Sequence, residues 1–383
     1  MTERDVWSQA RNILCVRLDA LGDVLMTTPA LRALKTSHPG RRITLLTSPA
    51  GAEAAPMIPT VDEVLVYQAP WMKSTGARPD SRLDHAMIGR LHDARFDAAV
   101  IFTVYSQSPL PTAMLCSLAD IPLRLAHCRE NPYQLLTHWV PEPEPEQFIR
   151  HEVRRQLELV GTTGCEVADE RMSLQIPRGL HQRVAERLRG MHVDFHYPWL
   201  VIHPGASAPS RRYPPDLFAR AARRLVLDVG MQIIFTGSQQ ERHLIEEIRT
   251  AMGVHSFSLA GDLALGELAA LIAQAPLLIA NNTGPVHIAA ATGTPVVDLY
   301  ALTNPQHTPW GVPHRVLNHD VPCKNCYKSI CPEGHHNCLR LLAPEAVVEA
   351  VWELLTELGR KRLASGSSFG LETVNTPQVG MTG

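Results

Sequence analysis

Short apolar runs, each closed by a polar turn and followed by a helical pattern, recur along most of the chain. The first half carries NILCVRL (12–18), RITLLTS (42–48), DEVLVY (62–67) and DAAVIFT (97–103). The second half carries WLVIHPG (199–205), MQIIFTGS (231–238), FSLAG (257–261), PLLIAN (276–281) and TPVVDLY (294–300). Continuous hydrophobicity, rather than alternation, marks strands buried on both faces. Parallel sheets covered by helices on each side provide that environment. The rhythm therefore predicts an α/β fold. A chain of 383 residues is too long for one core and suits two domains, so two Rossmann-like domains in tandem are expected.

VPEPEPEQF (140–148) alternates proline with glutamate, which excludes a regular helix or a central strand, and it reads as an exposed extended connection. The first domain is expected over 1–190 and the second over 191–345. A closing helix is expected over 346–362. The tail, 363–383, is rich in Gly, Ser and Thr and reads as disordered. The formal net charge of -2 gives no field that would gather nucleic acid. The polar start MTERDVWSQARN lacks the apolar core of a signal peptide. The most apolar stretch, near 268–280, is broken by Gln274 and Pro276, so no transmembrane segment is expected. A cytoplasmic protein with reduced thiols follows.

In open α/β sheets, ligands bind beyond the carboxyl ends of the strands, so the strand-to-helix turns carry the chemistry. The first is Asp19-Ala20-Leu21-Gly22-Asp23. It has one glycine and two carboxylates, which excludes a GxGxxG pyrophosphate site. Asp23 sits in the first helical turn. Two readings are open: a helix cap, or a base that takes a proton from a substrate hydroxyl. The second turn, HPGAS followed by RRYP, offers Gly205 for close backbone approach, the Ser207 hydroxyl, and Arg211, whose guanidinium fork suits a diphosphate. In the third, GSQQE, Glu241 is a candidate ribose contact or a first-turn acid. In the fourth, NNTGPVH, Thr283 suits a cap and Pro285 the first helical position. The helix N-terminus beyond them can receive a phosphate, and His287 lies on its first turn.

VRLDALGDVLMTTPALRAL, HPGAS with RRYP, FTGSQQE, and NNTGPVHIAAATGTPVVDLY with TNP (303–305) together resemble glycosyltransferase family 9, the ADP-heptose:lipopolysaccharide heptosyltransferases. The resemblance covers residues 12 to about 358 in order and spacing. It implies a GT-B fold, with two Rossmann-like domains facing across a cleft. The first domain would receive the acceptor and the second the ADP-sugar, and the last helix would pack back towards the first domain. It implies inverting transfer of a heptose to a lipopolysaccharide core or related glycan acceptor, with no metal required for catalysis. Asp23 falls on the family's base. Arg211 and the amides around Thr283 and Gly284 fall on the leaving-group contacts, Glu241 on a ribose-contacting acid and His287 on the motif histidine. Ser207 and Asn282 complete the expected donor set, and Arg17, in the first motif, is a candidate acceptor contact. The acceptor would be lipid-linked or glycan and met at the cytoplasmic face of the inner membrane, with residues 68–140 forming most of its pocket. Two positions depart from the pattern. Asn282 stands where the family often has Asp, and Arg211 where it often has Lys. A nucleotide-sugar epimerase of GT-B fold and a non-catalytic nucleotide-sugar-binding relative are the competing readings.

Near the C-terminus, CKNCYKSICPEGHHNC places Cys323, Cys326, Cys331 and Cys338 around His335 and His336. Thiolates and imidazoles at such density suit a structural zinc or iron site. Some relatives of the family, those acting on autotransporters, bind iron through four cysteines at wider spacing. Disulfide pairing and plain reduced thiols remain as alternatives.

Overall fold

The computed structural model describes residues 3–73 and 75–365, so most of the expected disordered tail lies outside the described residues. The first sheet contains β1 (Asn12–Arg17), β2 (Arg42–Thr47), β3 (Glu63–Val66), β4 (Ala98–Ile101), β5 (Leu123–Cys128) and β6 (His138–Pro141). The second contains β7 (Trp199–His203), β8 (Gln232–Phe235), β9 (Phe257–Ser258), β10 (Leu278–Asn281), β11 (Val296–Leu299) and β12 (His314–Leu317). The orders are β3-β2-β1-β4-β5-β6 and β12-β11-β10-β7-β8-β9, and neighbouring strands pair in parallel. Both sheets thus have the 3-2-1-4-5-6 Rossmann order, the second read from its other edge. In each, the order reverses beside the first strand, at β1/β4 and at β7/β10. There the turns after neighbouring strands diverge to opposite faces and leave a crevice.

The central strands are the apolar runs of the sequence, and apart from Asn12 at the start of β1 they are buried throughout. The edge strands β6 and β12, and β5 beside β6, escape the hydrophobic pattern because they carry Arg124, His127, His138 and Arg315 and are partly exposed. The expected extended connection at 140–148 begins as β6. Its Pro141 is tolerated because an edge strand need not donate on its open side.

Domain packing changes hands before residue 190. Gln175 N still donates to the Met57 carbonyl at 2.7 Å, but the helix Leu180–Gly190 packs on the helix Leu265–Gln274 of the second domain. The closing helix, Pro344–Ser365, packs on the helix Pro215–Leu227 and on β11 and β12. Its Val347, Ala350, Val351 and Leu354 are buried in the core of the second domain, so the face it buries belongs to that domain. The two domains meet where the helices Leu21–Thr36 and Gly284–Thr292 pack against each other.

Candidate active site

The first half of the site is built around a buried guanidinium. Arg17 ends β1 with its side chain fully buried. Its Nη2 donates to Asp23 Oδ1 at 3.1 Å and its Nη1 to Glu152 Oε1 at 2.7 Å. Its Nε lies 3.0 Å from Asp19 Oδ2, without hydrogen-bond alignment. A group enclosed by three carboxylates has no surface left for an acceptor, so Arg17 is not an acceptor contact. It holds the three carboxylates in place. Asp23 also accepts from the Ala20 amide at 3.1 Å. It therefore caps the helix Leu21–Thr36 and faces the cleft at once, because the amide and the guanidinium hold the carboxylate from behind. Asp19 accepts from Gln107 Nε2 at 2.6 Å. Burial pushes its pKa up, against the pull of Arg17. Burial also opposes ionisation of Glu152, but Arg17 and Arg155 outweigh it and hold its pKa at about 2. Glu152 reaches across the domain boundary as well, its amide donating to the Gln306 carbonyl at 3.1 Å.

Beside Asp23 opens a cavity of about 760 Å³, walled by Asp19, Trp71, Gln107, Pro111 and, from the second domain, Ser329. Most of its wall comes from residues 68–140.

On the facing side, Arg211 is half-buried and makes no side-chain hydrogen bond or ion pair among the described residues. Its charge acts on His287, His307, Asp298 and Tyr300. Asn281 fixes its turn, accepting from the Tyr213 amide at 3.0 Å and donating to the Pro204 carbonyl at 2.7 Å. Ser207 is exposed on the same turn. The bare α-carbon of Gly205 serves Glu241 rather than a diphosphate: a Cβ there would lie 2.0 Å from Glu241 Oε1. Glu241 Oε2 accepts from the Ser238 amide and hydroxyl at 2.7 and 2.9 Å.

Thr283 donates its hydroxyl to the Asn281 carbonyl at 3.1 Å, and Gly284 packs near Leu21 of the first domain. His287 is buried, and burial together with nearby His307 holds its pKa well below the usual imidazole value. Its ring lies on Gly22, where a Cβ would come within 2.5 Å of Cδ2. It is therefore a neutral ring wedged between the domains, one residue from Asp23, and it adds no positive charge to the cleft.

The family described as Glycosyltransferase family 9 (heptosyltransferase) matches residues 85–337, more than half of the chain. The chain belongs to glycosyltransferase family 9. It is similar to lipopolysaccharide heptosyltransferase 2 of Salmonella typhimurium, at 27% identity over 369 residues, covering 91% of this chain and 99% of that protein. The solved family 9 glycosyltransferase of Veillonella parvula superposes with a TM-score of 0.73 at 22% identity, covering 91% of this chain and 98% of that one. E. coli ADP-heptose lps heptosyltransferase II does so with a TM-score of 0.69 at 23% identity, covering 91% and 99%. These likenesses establish the GT-B arrangement for this family 9 glycosyltransferase.

Within this transferase, the departure at Asn282 has a partner that the sequence did not reveal. Asn282 is buried, and its Nδ2 donates to Asp298 Oδ2 at 2.9 Å and to the His307 carbonyl at 2.8 Å. Both amide hydrogens are spent inside the protein. Asp298 is fully buried on β11, and burial pushes its pKa up to about 8. Asn282→Asp would remove both donors and set two carboxyl groups side by side. Each buried acceptor left unpaired costs about 1–3 kcal/mol. A lower melting temperature is expected, with a deficit larger at pH 8 than at pH 6; an unchanged melting temperature would show that the pair carries no stability.

Asp298 also gives a pH signature. Unfolded, its carboxyl ionises near ~3.9; folded, near about 8. Between those values the folded state holds a proton that the unfolded state has released, so this group's contribution is lost as pH rises. The melting temperature of Asp298→Asn should gain on wild type from pH 5 to pH 8. Parallel curves would mean that Asp298 ionises normally.

All eight cysteines are free thiols. Cys323 Sγ lies 3.8 Å from His335 Nε2, yet among the described residues no three His, Cys, Asp or Glu side chains are placed to hold an ion. No disulfide joins Cys323, Cys326, Cys331 and Cys338 either.

Proposed function

We propose that this enzyme transfers a heptosyl residue from ADP-heptose to a lipopolysaccharide core acceptor, with inversion. One observation carries the mechanism: Asp23, held by Arg17 and the Ala20 amide, opens on the large cavity, and Arg211 stands unpaired on the other side of the cleft. The acceptor hydroxyl attacks the anomeric carbon. The bond from that carbon to the β-phosphate oxygen breaks, the hydroxyl proton passes to Asp23, and ADP leaves with the electron pair. Arg211 meets the charge growing on the diphosphate, with Ser207, Thr283 and the Gly284 amide beside it, and Glu241 meets the ribose. With a fixed cation in that place, turnover is expected to persist in excess EDTA. The relatives named above as heptosyltransferases support the sugar and the acceptor class. The cavity beside Asp23 favours a two-substrate transfer over epimerisation, which needs no second substrate.

The test is incubation with ADP-heptose and a core acceptor lacking the terminal heptose. A mass gain of one heptosyl unit supports the reading. ADP-heptose converted without any acceptor product would favour the epimerase. Arg211→Ala should weaken ADP binding by about tenfold or more, as loss of a charge-assisted contact implies; unchanged affinity in calorimetry would remove Arg211 from the donor site. No helix among the described residues is long and apolar enough to cross a membrane. We place the enzyme at the cytoplasmic face of the inner membrane, where a lipid-linked acceptor is presented.

A further inference from the structure

We propose that the cysteine-rich loop is a latch that carries Tyr327 and Ser329 across the cleft to position the acceptor, an inference that rests on the transfer reading above. On its own domain the loop is pinned at four points. The Asn325 amide donates to the Leu302 carbonyl at 2.7 Å and the Tyr327 amide to the Thr303 carbonyl at 2.8 Å. The Ser210 amide donates to the Ser329 carbonyl at 3.1 Å, and the Ser210 hydroxyl to the Lys328 carbonyl at 2.7 Å. Ser210 is the residue before Arg211, so the loop is tied to the turn that would hold the diphosphate.

From there the loop reaches the other domain. The Tyr327 hydroxyl is hydrogen-bonded to the Tyr105 hydroxyl, and the two rings meet edge-on at 5.9 Å. Lys73 Nζ donates to Ser329 Oγ at 3.1 Å. Ser329 lines the cavity that contains Asp23. Tyr105 lines a second cavity of about 340 Å³, and Gln107 and Ser108 wall both. The loop therefore touches the rims of two adjoining spaces on the acceptor side. Its backbone is strained where it does so: Tyr327 has φ of 53°, a region that bulky side chains avoid. The contacts at both ends hold it there. An acceptor seated beside Asp23 meets Ser329 directly, and a longer one running past Gln107 meets Tyr327.

Ser329→Leu narrows the first cavity, and Tyr327→Phe removes the hydroxyl that meets Tyr105. Both sites are exposed enough for the variants to fold, which melting curves check. KM for the core acceptor should rise by about tenfold in Ser329→Leu and by a few-fold in Tyr327→Phe, with ADP Kd within about twofold of wild type. Acceptor KM within about twofold of wild type in both variants, or ADP Kd rising as much as acceptor KM, overturns the positioning role. A second comparison does not depend on the sugar. Tyr105→Phe, on the opposite domain, should speed tryptic cleavage after Lys324 and Lys328; an unchanged rate overturns the latch. If the wild-type chain transfers no heptose, the heptosyl reading fails, and the cleavage comparison then decides the latch by itself.

Discussion

Asp23→Asn is expected to lower kcat by about 10²–10⁴-fold, the range associated with loss of a positioned general base. ADP affinity should stay at the wild-type value, because Arg211 and Glu241 stand on the other domain. The substitution is nearly isosteric. An asparagine oxygen can still accept from the Ala20 amide, so the helix keeps its cap and the fold should persist. What is lost is the charge that accepts the proton and pairs with Arg17. Single-turnover measurement with saturating donor separates the two effects. A variant with full transfer would remove Asp23 as the base and turn attention to Asp19, the second carboxylate in the same cavity.

Arg17→Met should cause the largest loss of stability. The methionine fits the buried space but leaves Asp19, Asp23 and Glu152 facing one another without their shared cation. Removing one partner of a buried ion pair costs about 3–5 kcal/mol. The pH dependence identifies the cause. In wild type Glu152 is held at about 2, so its paired form is present above the ordinary carboxylate range and is lost only as pH falls through about 2. Without Arg17, burial is opposed chiefly by Arg155 and the Glu152 pKa rises, so the carboxyl takes up a proton as pH falls. The gap in melting temperature between wild type and Arg17→Met should therefore narrow from pH 7 towards pH 4. Adding Glu152→Gln should recover part of the loss at pH 7. A gap independent of pH would mean that packing, not charge, explains it. Transfer should also fall in the single variant, since Asp23 loses one of the two groups that aim it.

Several readings of the sequence rested on local rules and could be made from neighbouring residues. NILCVRL and PLLIAN were legible as strands because uninterrupted apolar runs have few other homes. The turns after β1, β7, β8 and β10 were legible because a parallel strand must hand over to a helix at its carboxyl end. Asp23 in a first helical turn and Arg211 before an aromatic-proline pair follow from the same local logic. The edge strands β6 and β12 were harder, because one open side admits Arg, His and Pro and blurs the pattern.

Contacts made by tertiary packing were outside that logic. Arg17 reads in sequence as a basic residue in a motif. Only the fold shows it buried, with Glu152 brought from far along the chain. Asn282 reads as a polar residue in a donor turn, and nothing nearby announces Asp298 as its partner on the next strand. His287 reads as a cleft histidine, but the packing of two helix N-termini presses it against Gly22. The cysteine-rich loop reads as a metal candidate, whereas its visible contacts run to Tyr105 and Lys73. The sequence by itself determined the sheets, the turns at their switch points and the placement of Asp23 and Arg211 in those turns, because short-range sterics and burial set them. Tertiary structure alone decided which charges share Arg17, which carboxyl sits under Asn282, and which loop crosses the cleft. The first two pairings form by packing within one domain and the third where the two domains meet, and no local spacing records either.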